Sequence, residues 1–285
     1  MKPNELIAKI ENGELDKSFK KIYVSDSAVE AQKPRYIRTI KEFINLFGDD
    51  RDVFVLSAPG RTEVCGNHTD HNNGKVLAAS INLDAIAIAA KRDDMKINEK
   101  SEGHGLNEVD ISTLSPDEAE YGRSSSMIKG VAAGLKEKGY EIGGFDACTT
   151  SDVMGGSGLS SSAAFEVLIA TVINHLYNDG KIDAVTVAKA AQFSENVYFG
   201  KPSGLLDQMA SSVGTFVTID FKDTANPVIK KVDFDFAKSG YSLCIVDTHG
   251  NHSDLTDDYA AVRGEMEAVA KAMGKNVLRE VEYEE

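Results

Sequence analysis

Residues 152–167 read Asp152-Val153-Met154-Gly155-Gly156-Ser157-Gly158-Leu159-Ser160-Ser161-Ser162-Ala163-Ala164-Phe165-Glu166-Val167. A strand-like stretch, 144–150, runs into them. An apolar helical pattern of about 18 residues, roughly 27 Å at the usual rise, runs out toward Tyr177. Between the two lie three glycines and four serines. Glycine lets a backbone come close to phosphate oxygens because no Cβ intervenes. Serines at a helix start offer amide and hydroxyl donors, and the helix dipole adds positive potential there. No lysine follows the glycines, so the loop is not a Walker A motif. The spacing Gly156-x-Gly158-x-x-Ser161 lacks the third glycine of a dinucleotide fingerprint. Glycine and serine are also the default residues of a plain turn. Against that bland account, the loop is short, joins a strand to a long apolar helix, and is followed by small residues that allow close packing.

The chain has 285 residues, 42% of them hydrophobic, enough for one large domain or two smaller ones. Its net charge of -14 argues against nucleic acid or an anionic membrane surface as partner. It also means that a bound nucleotide must be held by local donors and a metal ion, against a repulsive overall field. Cys65, Cys148 and Cys244 are odd in number, widely spaced and set in apolar or strand-like stretches, which predicts reduced thiols in a cytoplasmic protein. The charged N-terminus carries no apolar leader pattern, and no apolar run reaches the length of a membrane span.

Residues 1–50 are polar and helix-like: Leu6, Ile7 and Ile10 share one helical face, as do Ile37, Ile40, Phe43, Ile44 and Phe47. Gly48-Asp49-Asp50 stops the second of these helices. Strand patterns follow at 53–57, 76–80 and 84–91, with shorter candidates near 96–98 and 108–112. Residues 126–138 read as a helix ending at Gly139. Residues 184–199 read as a further helix, broken by Lys201-Pro202-Ser203-Gly204, with another helical stretch from Leu205. Residues 215–221, 228–236 and 241–247 alternate like strands, and 256–273 read as a closing helix. No solenoid period is visible. This mixed order predicts an α+β fold rather than regular βαβ winding.

Three further stretches are more polar than folding requires. Residues 58–74 place Arg61, Glu63, Asn67, His68, Asp70 and His71 between two strands, donors and acceptors suited to a polyhydroxylated ligand. Asn72-Asn73-Gly74 alone would satisfy a plain hairpin loop. Glu195 stands at the polar end of an apolar helix. A surface glutamate needs no explanation, yet one carboxylate with a serine hydroxyl and phosphate oxygens is a common Mg²⁺ setting. Asp207 follows a glycine turn among apolar residues. The first turn of a helix favours aspartate for dipole reasons, and the same place in a partly dehydrated cleft suits an acceptor for a hydroxyl proton.

These motifs resemble those of the GHMP kinases. Residues 155–164 are similar to the family's phosphate-binding motif. Residues 59–74 resemble the galactokinase signature Gly-Arg-x-Asn-x-Ile-Gly-Glu-His-x-Asp-Tyr-x-x-Gly. Gly204-Leu205-Leu206-Asp207-Gln208 resembles the Gly-Ile-Met-Asp-Gln segment, and residues 258–263 resemble the later segment carrying a substrate-contacting tyrosine. Four motifs in the right order are more specific than any one, and together they run from about Ser57 onward.

The resemblance implies an α+β GHMP kinase N-terminal lobe, ribosomal protein S5 domain 2-like, with the start of a second α+β lobe. It implies a helical extension at 1–50, the first lobe at 51–221 and an incomplete second lobe at 222–285. It implies an ATP-dependent sugar 1-kinase, acting on the anomeric hydroxyl of galactose or a close relative, with Mg²⁺. Asp207 matches the general base and Arg61 the arginine that stabilises the reacting oxygens. Asn67, His68, Asp70, Gly204 and Tyr259 match sugar ligands. Gly155, Gly156, Ser157, Gly158, Leu159, Ser160, Ser161 and Ser162 match the nucleotide loop, and Ser162 and Glu195 the Mg²⁺ positions. Phosphoryl transfer is mostly alignment and charge neutralisation, which such residues supply.

The sequence also departs from the pattern. Asn67 stands where the signature has Glu, Thr62-Glu63 replaces x-Asn, and His71 replaces Tyr. Sugar specificity depends on such hydroxyl contacts. The family's third, C-terminal glycine-rich motif is not found after Gly274, so the chain reads as part of a longer protein, expected to self-associate through the surface left bare. Two other functions compete: a sugar- and nucleotide-binding regulator on a kinase scaffold, and a metal-dependent hydrolase using His68, Asp70 and His71 with His249, His252 and Asp254.

Overall fold

The computed structural model describes residues 1–234, 236–246 and 256–282, with the side chains of 237 and 256–260 left out. Its centre is β2 (Lys75–Lys91), a strand of 17 residues. Along one edge it pairs antiparallel with β1 (Phe54–Cys65), from Phe54 opposite Ala89 to Cys65 opposite Leu77. Its other edge is shared. Residues 85–91 pair with β5 (Phe145–Ser151), and residues 75–79 pair with β6 (Phe216–Asp220). Beyond β5 lie β3 (Lys96–Ser101), the one parallel neighbour, and β4 (Leu106–Asp110). Beyond β6 lies β7 (Val228–Val232).

The two strands expected at 76–80 and 84–91 are therefore one. The polar Asn82 and Asp84 read as a break because they lie where β2 changes partners. From Ala85 to Ala90 every residue is buried, so this stretch shows no polar alternation. Its two faces serve two cores. Ala85, Ala87 and Ala89 pack with Ile128, Leu135, Leu168 and Ile173, from α4 (Ser124–Glu137) and α5 (Ser161–Tyr177). Ile86, Ile88 and Ala90 pack with Ile10, Phe19, Tyr36, Ile40 and Phe43. Burying each isoleucine contributes about 1.5–3 kcal/mol.

The N-terminal side chains come from three helices rather than two: α1 (Pro3–Glu11), α2 (Asp16–Tyr23) and α3 (Asp26–Phe47), the last closed by Gly48. They cover one face of the sheet. A buried polar clamp fixes them. Arg35 donates to Asp84 Oδ1 and to the Asp84 carbonyl, both at 2.7 Å, and to the Thr150 carbonyl at 3.0 Å. Its guanidinium also lies 3.1 Å from Asp152, the residue that opens the glycine-serine loop. Tyr23 donates to Asp84 Oδ2 at 2.9 Å, and burial followed by the Asp84 charge raises its pKa.

A third core forms where α6 (Ala184–Phe193) and α7 (Leu206–Val213) meet β2 and β6, through Val76, Ala78, Ala188, Leu206, Met209 and Ile219. The helix expected to run to residue 199 ends at Phe193 and continues as a π-helical turn, Ser194–Phe199. Such turns recur at functional sites. After β7 come α8 (Phe236–Ser239) and α9 (Thr256–Ala272). The strand expected at 241–247 does not form over the described residues 241–246, where Tyr241, Leu243, Ile245 and Val246 are all exposed.

Candidate active site

The glycine-serine loop bridges the end of β5 and the start of α5. Gly156 and Gly158 take left-handed φ angles of 72° and 75°, and Ser160, at the N-cap of α5, takes one of 61°. A left-handed serine costs energy unless its surroundings hold it there. Here the holding is visible. The Ser160 hydroxyl donates to Asp207 Oδ2, and the Arg61 amide donates to the Leu159 carbonyl at 3.0 Å. The first-turn amides of α5 have no acceptor within the helix, so the loop presents donors and dipole together.

Arg61 enters this group from a bulge in β1 between Pro59 and Arg61. Its guanidinium forks onto the Asp207 carboxylate, Nε to Oδ1 at 2.7 Å and Nη2 to Oδ2 at 2.8 Å. Nη1 donates to the Gly158 carbonyl at 2.6 Å. A sheet bulge, a loop carbonyl and the first turn of α7 thus converge on one arginine. Such two-point pairing fixes orientation as well as distance.

Asp70 adjoins this group. It lies in a 3-10 turn, Thr69–Asn72, preceded by His68 in a left-handed conformation with φ of 59°. Asp70 Oδ2 accepts from the Leu206 amide at 3.4 Å. A Cβ placed on Gly204 would meet Asp70 Oδ2 at 1.8 Å, so only glycine leaves room for this carboxylate. The His68 and His71 rings stack with centroids 5.7 Å apart. Burial foremost, with His68 as a smaller cause, lowers the His71 pKa, while Asp70 opposes the shift. Asn67 is exposed at the rim. Tyr259 lies in α9, and its side chain is outside those described. Asn72 ties that region to the site: its Oδ1 accepts from the Leu278 amide at 3.0 Å, and its Nδ2 lies 3.0 Å from Met266 Sδ.

The Ser162 hydroxyl donates to Glu195 Oε1 at 3.0 Å. Glu195 is not a surface glutamate: it is 2% exposed, turned inward by the π-helical turn. Its Oε2 accepts from Gln208 Nε2 at 2.7 Å. Gln208 in turn lies 3.4 Å from Glu166, which is fully buried. Burial first, and the Glu195 charge second, raise the Glu166 pKa well above the usual carboxylate range. Ser162 and Glu195 offer two hard oxygen donors beside the loop, which suits Mg²⁺. The zinc-type alternative fails in its described half: among the described residues no group of three or more His, Cys, Asp or Glu side chains is placed to hold a metal ion. His249, His252 and Asp254 lie outside the described residues.

Three polar residues at the site, Glu166, Lys201 and Gln208, were not among the sequence candidates. Glu63 Oε1 is buried with no hydrogen-bond partner among the described residues, and burial foremost raises its pKa. The available signal for Glu166 was its place one turn after Ser162, and for Gln208 its place beside Asp207.

Comparison with known proteins gives this geometry a family. Residues 126–215 match the family model described as GHMP kinases N terminal domain, and residues 41–91 match the galactokinase galactose-binding signature. The galactokinase of Streptomyces coelicolor is 34% identical over 245 residues, covering 85% of this chain and 62% of the relative. That of Clostridium tetani is 32% identical over 254 residues, covering 86% and 62%. The crystal structure of Lactococcus lactis galactokinase complexed with galactose superposes with a TM-score of 0.67 at 28% identity, over 82% of this chain and 60% of that one. Mevalonate kinase from Methanococcus jannaschii shares the fold, with a TM-score of 0.53 at 14% identity.

A mixed sheet carrying a glycine-serine loop into α5 is the architecture of a GHMP kinase N-terminal lobe, and residues 126–215 match the model of that domain. Within that family it is similar to galactokinases, and the galactokinase galactose-binding signature matches a stretch that spans β1 and the whole of β2. The chain spans about 62% of the length of these curated relatives.

Proposed function

We propose that this chain provides the sugar-binding and phosphate-binding lobe of an ATP-dependent sugar 1-kinase acting on galactose or a close relative. The observation that carries the reading is the fork of Arg61 on Asp207, closed against Gly158 and Ser160 of the phosphate loop. It sets a proton acceptor beside the place where phosphate oxygens would lie.

In this account the anomeric hydroxyl oxygen bonds to the γ-phosphorus, the bond to the bridging oxygen breaks, and the hydroxyl proton passes to the Asp207 carboxylate. Arg61 orients that carboxylate and offsets charge gathering on the phosphoryl oxygens. Asn67, His68, Asp70, the Gly204 backbone and Tyr259 hold the sugar. Residues 155–162 hold the phosphates. Ser162 and Glu195 would hold Mg²⁺, which when bound neutralises phosphate charge.

The division at 1–50, 51–221 and 222–285 belongs to the same proposal, as does a cytoplasmic setting, supported by three free cysteines. Self-association is supported by the exposed apolar side chains of Val228, Val232 and Phe234, and sedimentation at increasing concentration tests it.

Transfer of label from γ-labelled ATP across a panel of free sugars tests the reading. Phosphorylation of galactose or a close relative at the anomeric position is expected. A chain that binds nucleotide and sugar but transfers nothing, with Asp207→Asn binding both equally well, would favour the regulator.

A further inference from the structure

The phosphate loop carries glycine and serine donors but no lysine. A lysine nevertheless stands beside it, supplied by another part of the chain. Lys201 Nζ lies 3.2 Å from Glu195 Oε1, the same oxygen that accepts from Ser162 at 3.0 Å. The ammonium is therefore within two hydrogen-bond lengths of the Ser162 hydroxyl and of the donor-rich start of α5. The two partners are unlike in freedom. The Glu195 side chain is 3% exposed and pinned by Gln208, whereas that of Lys201 is 44% exposed on a four-carbon stem. The backbone anchors the pair locally, since the Lys201 amide donates to the Glu195 carbonyl at 3.0 Å as the chain leaves the π-helical turn.

A buried carboxylate needs a compensating cation. Lys201 supplies it here, on an oxygen that a divalent ion at Ser162 and Glu195 would also need. A lysine ammonium is a compact charge on a mobile stem and suits a change of partner better than a forked guanidinium. We propose that Lys201 is the phosphate-contacting lysine of this site, parked on Glu195 until nucleotide arrives, and then turned to the phosphate oxygens as Glu195 is freed for the metal. Every charge keeps a partner through the exchange: Lys201 moves from carboxylate to phosphate, and Glu195 from ammonium to divalent cation. The inference rests on the kinase reading for the identity of the anion.

The test is calorimetric titration of the 285-residue chain with ATP in excess chelator, together with Mn²⁺ binding without nucleotide followed by electron paramagnetic resonance. The proteins are wild type, Lys201→Met and Lys201→Arg. Lys201→Met is expected to lose about tenfold or more in metal-free ATP affinity, the scale of a hydrogen bond to a charged group. Lys201→Arg is expected to keep most of it and to report an intact fold. Mn²⁺ should bind Lys201→Met more tightly than wild type, because its competitor is gone. Unchanged metal-free ATP affinity in Lys201→Met, with wild type binding normally, would overturn the inference alone and leave a structural ion pair. A wild-type chain that binds no ATP with or without metal would overturn the kinase reading as well.

Discussion

Arg61 and Asp207, 146 positions apart in the chain, face each other through two hydrogen bonds of 2.7 and 2.8 Å, and the third arm of the guanidinium reaches the Gly158 carbonyl. Lysine keeps the charge but cannot fork. Arg61→Lys is expected to lower phosphoryl transfer by about 100-fold or more, the scale seen when one preorganised donor is lost, with little change in melting temperature. A loss of less than tenfold in steady-state kinetics would show that two-point pairing does not matter.

Gly204 has no room for a side chain, because Asp70 Oδ2 occupies the space its Cβ would fill. Gly204→Ala is expected to push Asp70 aside and weaken sugar binding while nucleotide affinity holds, at a stability cost of about 1–3 kcal/mol. Calorimetry with galactose and with ATP separates the two effects. Equal weakening of both would assign the change to general misfolding.

Arg35 joins α3 to β2, to β5 and to the first residue of the phosphate loop. Burial opposes its charge, yet the Asp84 and Asp152 carboxylates more than offset that and raise its pKa. Removing one partner of a buried pair leaves an uncompensated charge. Arg35→Ala is expected to cost about 3–5 kcal/mol in urea unfolding. A cost under about 1 kcal/mol, the surface-pair scale, would mean that the N-terminal helices are not clamped through it.

Glu166 has a folded pKa well above its ordinary value of 4.5, from burial first and Glu195 second. Below that ordinary value both folded and unfolded chains hold the proton. As pH rises, the unfolded chain releases it first, so stability falls until the folded pKa is passed. Glu166→Gln removes this penalty. Its melting temperature is expected to exceed that of wild type at pH 7–8, with the gap closing as pH falls toward 4.5. Parallel curves across that range would contradict the assignment.

Much of this architecture was readable because its signals are local. The glycine-serine loop, the long helix after it and the α7 start at Leu206 follow from contiguous letters. The unity of β2 was hidden, since Asn82 and Asp84 look like a break until β1 is seen running along both halves. The N-terminal segment was readable as helical, but amphipathic spacing reveals an apolar face and not the sheet face it packs on. The inward turn of Glu195 was hidden by its helical context, and only the π-helical geometry exposes it. Lys201 and Gln208 both meet Glu195, and Gln208 reaches on to Glu166 in α5, contacts that no single window of sequence contains.

The central claim is that Asp207 accepts the sugar proton. The direct measurement compares Asp207→Asn with wild type, taking galactose affinity by calorimetry and phosphoryl transfer from labelled ATP on the same preparations. The account predicts transfer reduced by about 10²–10⁴-fold, the usual worth of a positioned base, with galactose affinity nearly unchanged. Transfer at the wild-type rate, with or without weakened sugar binding, would contradict it.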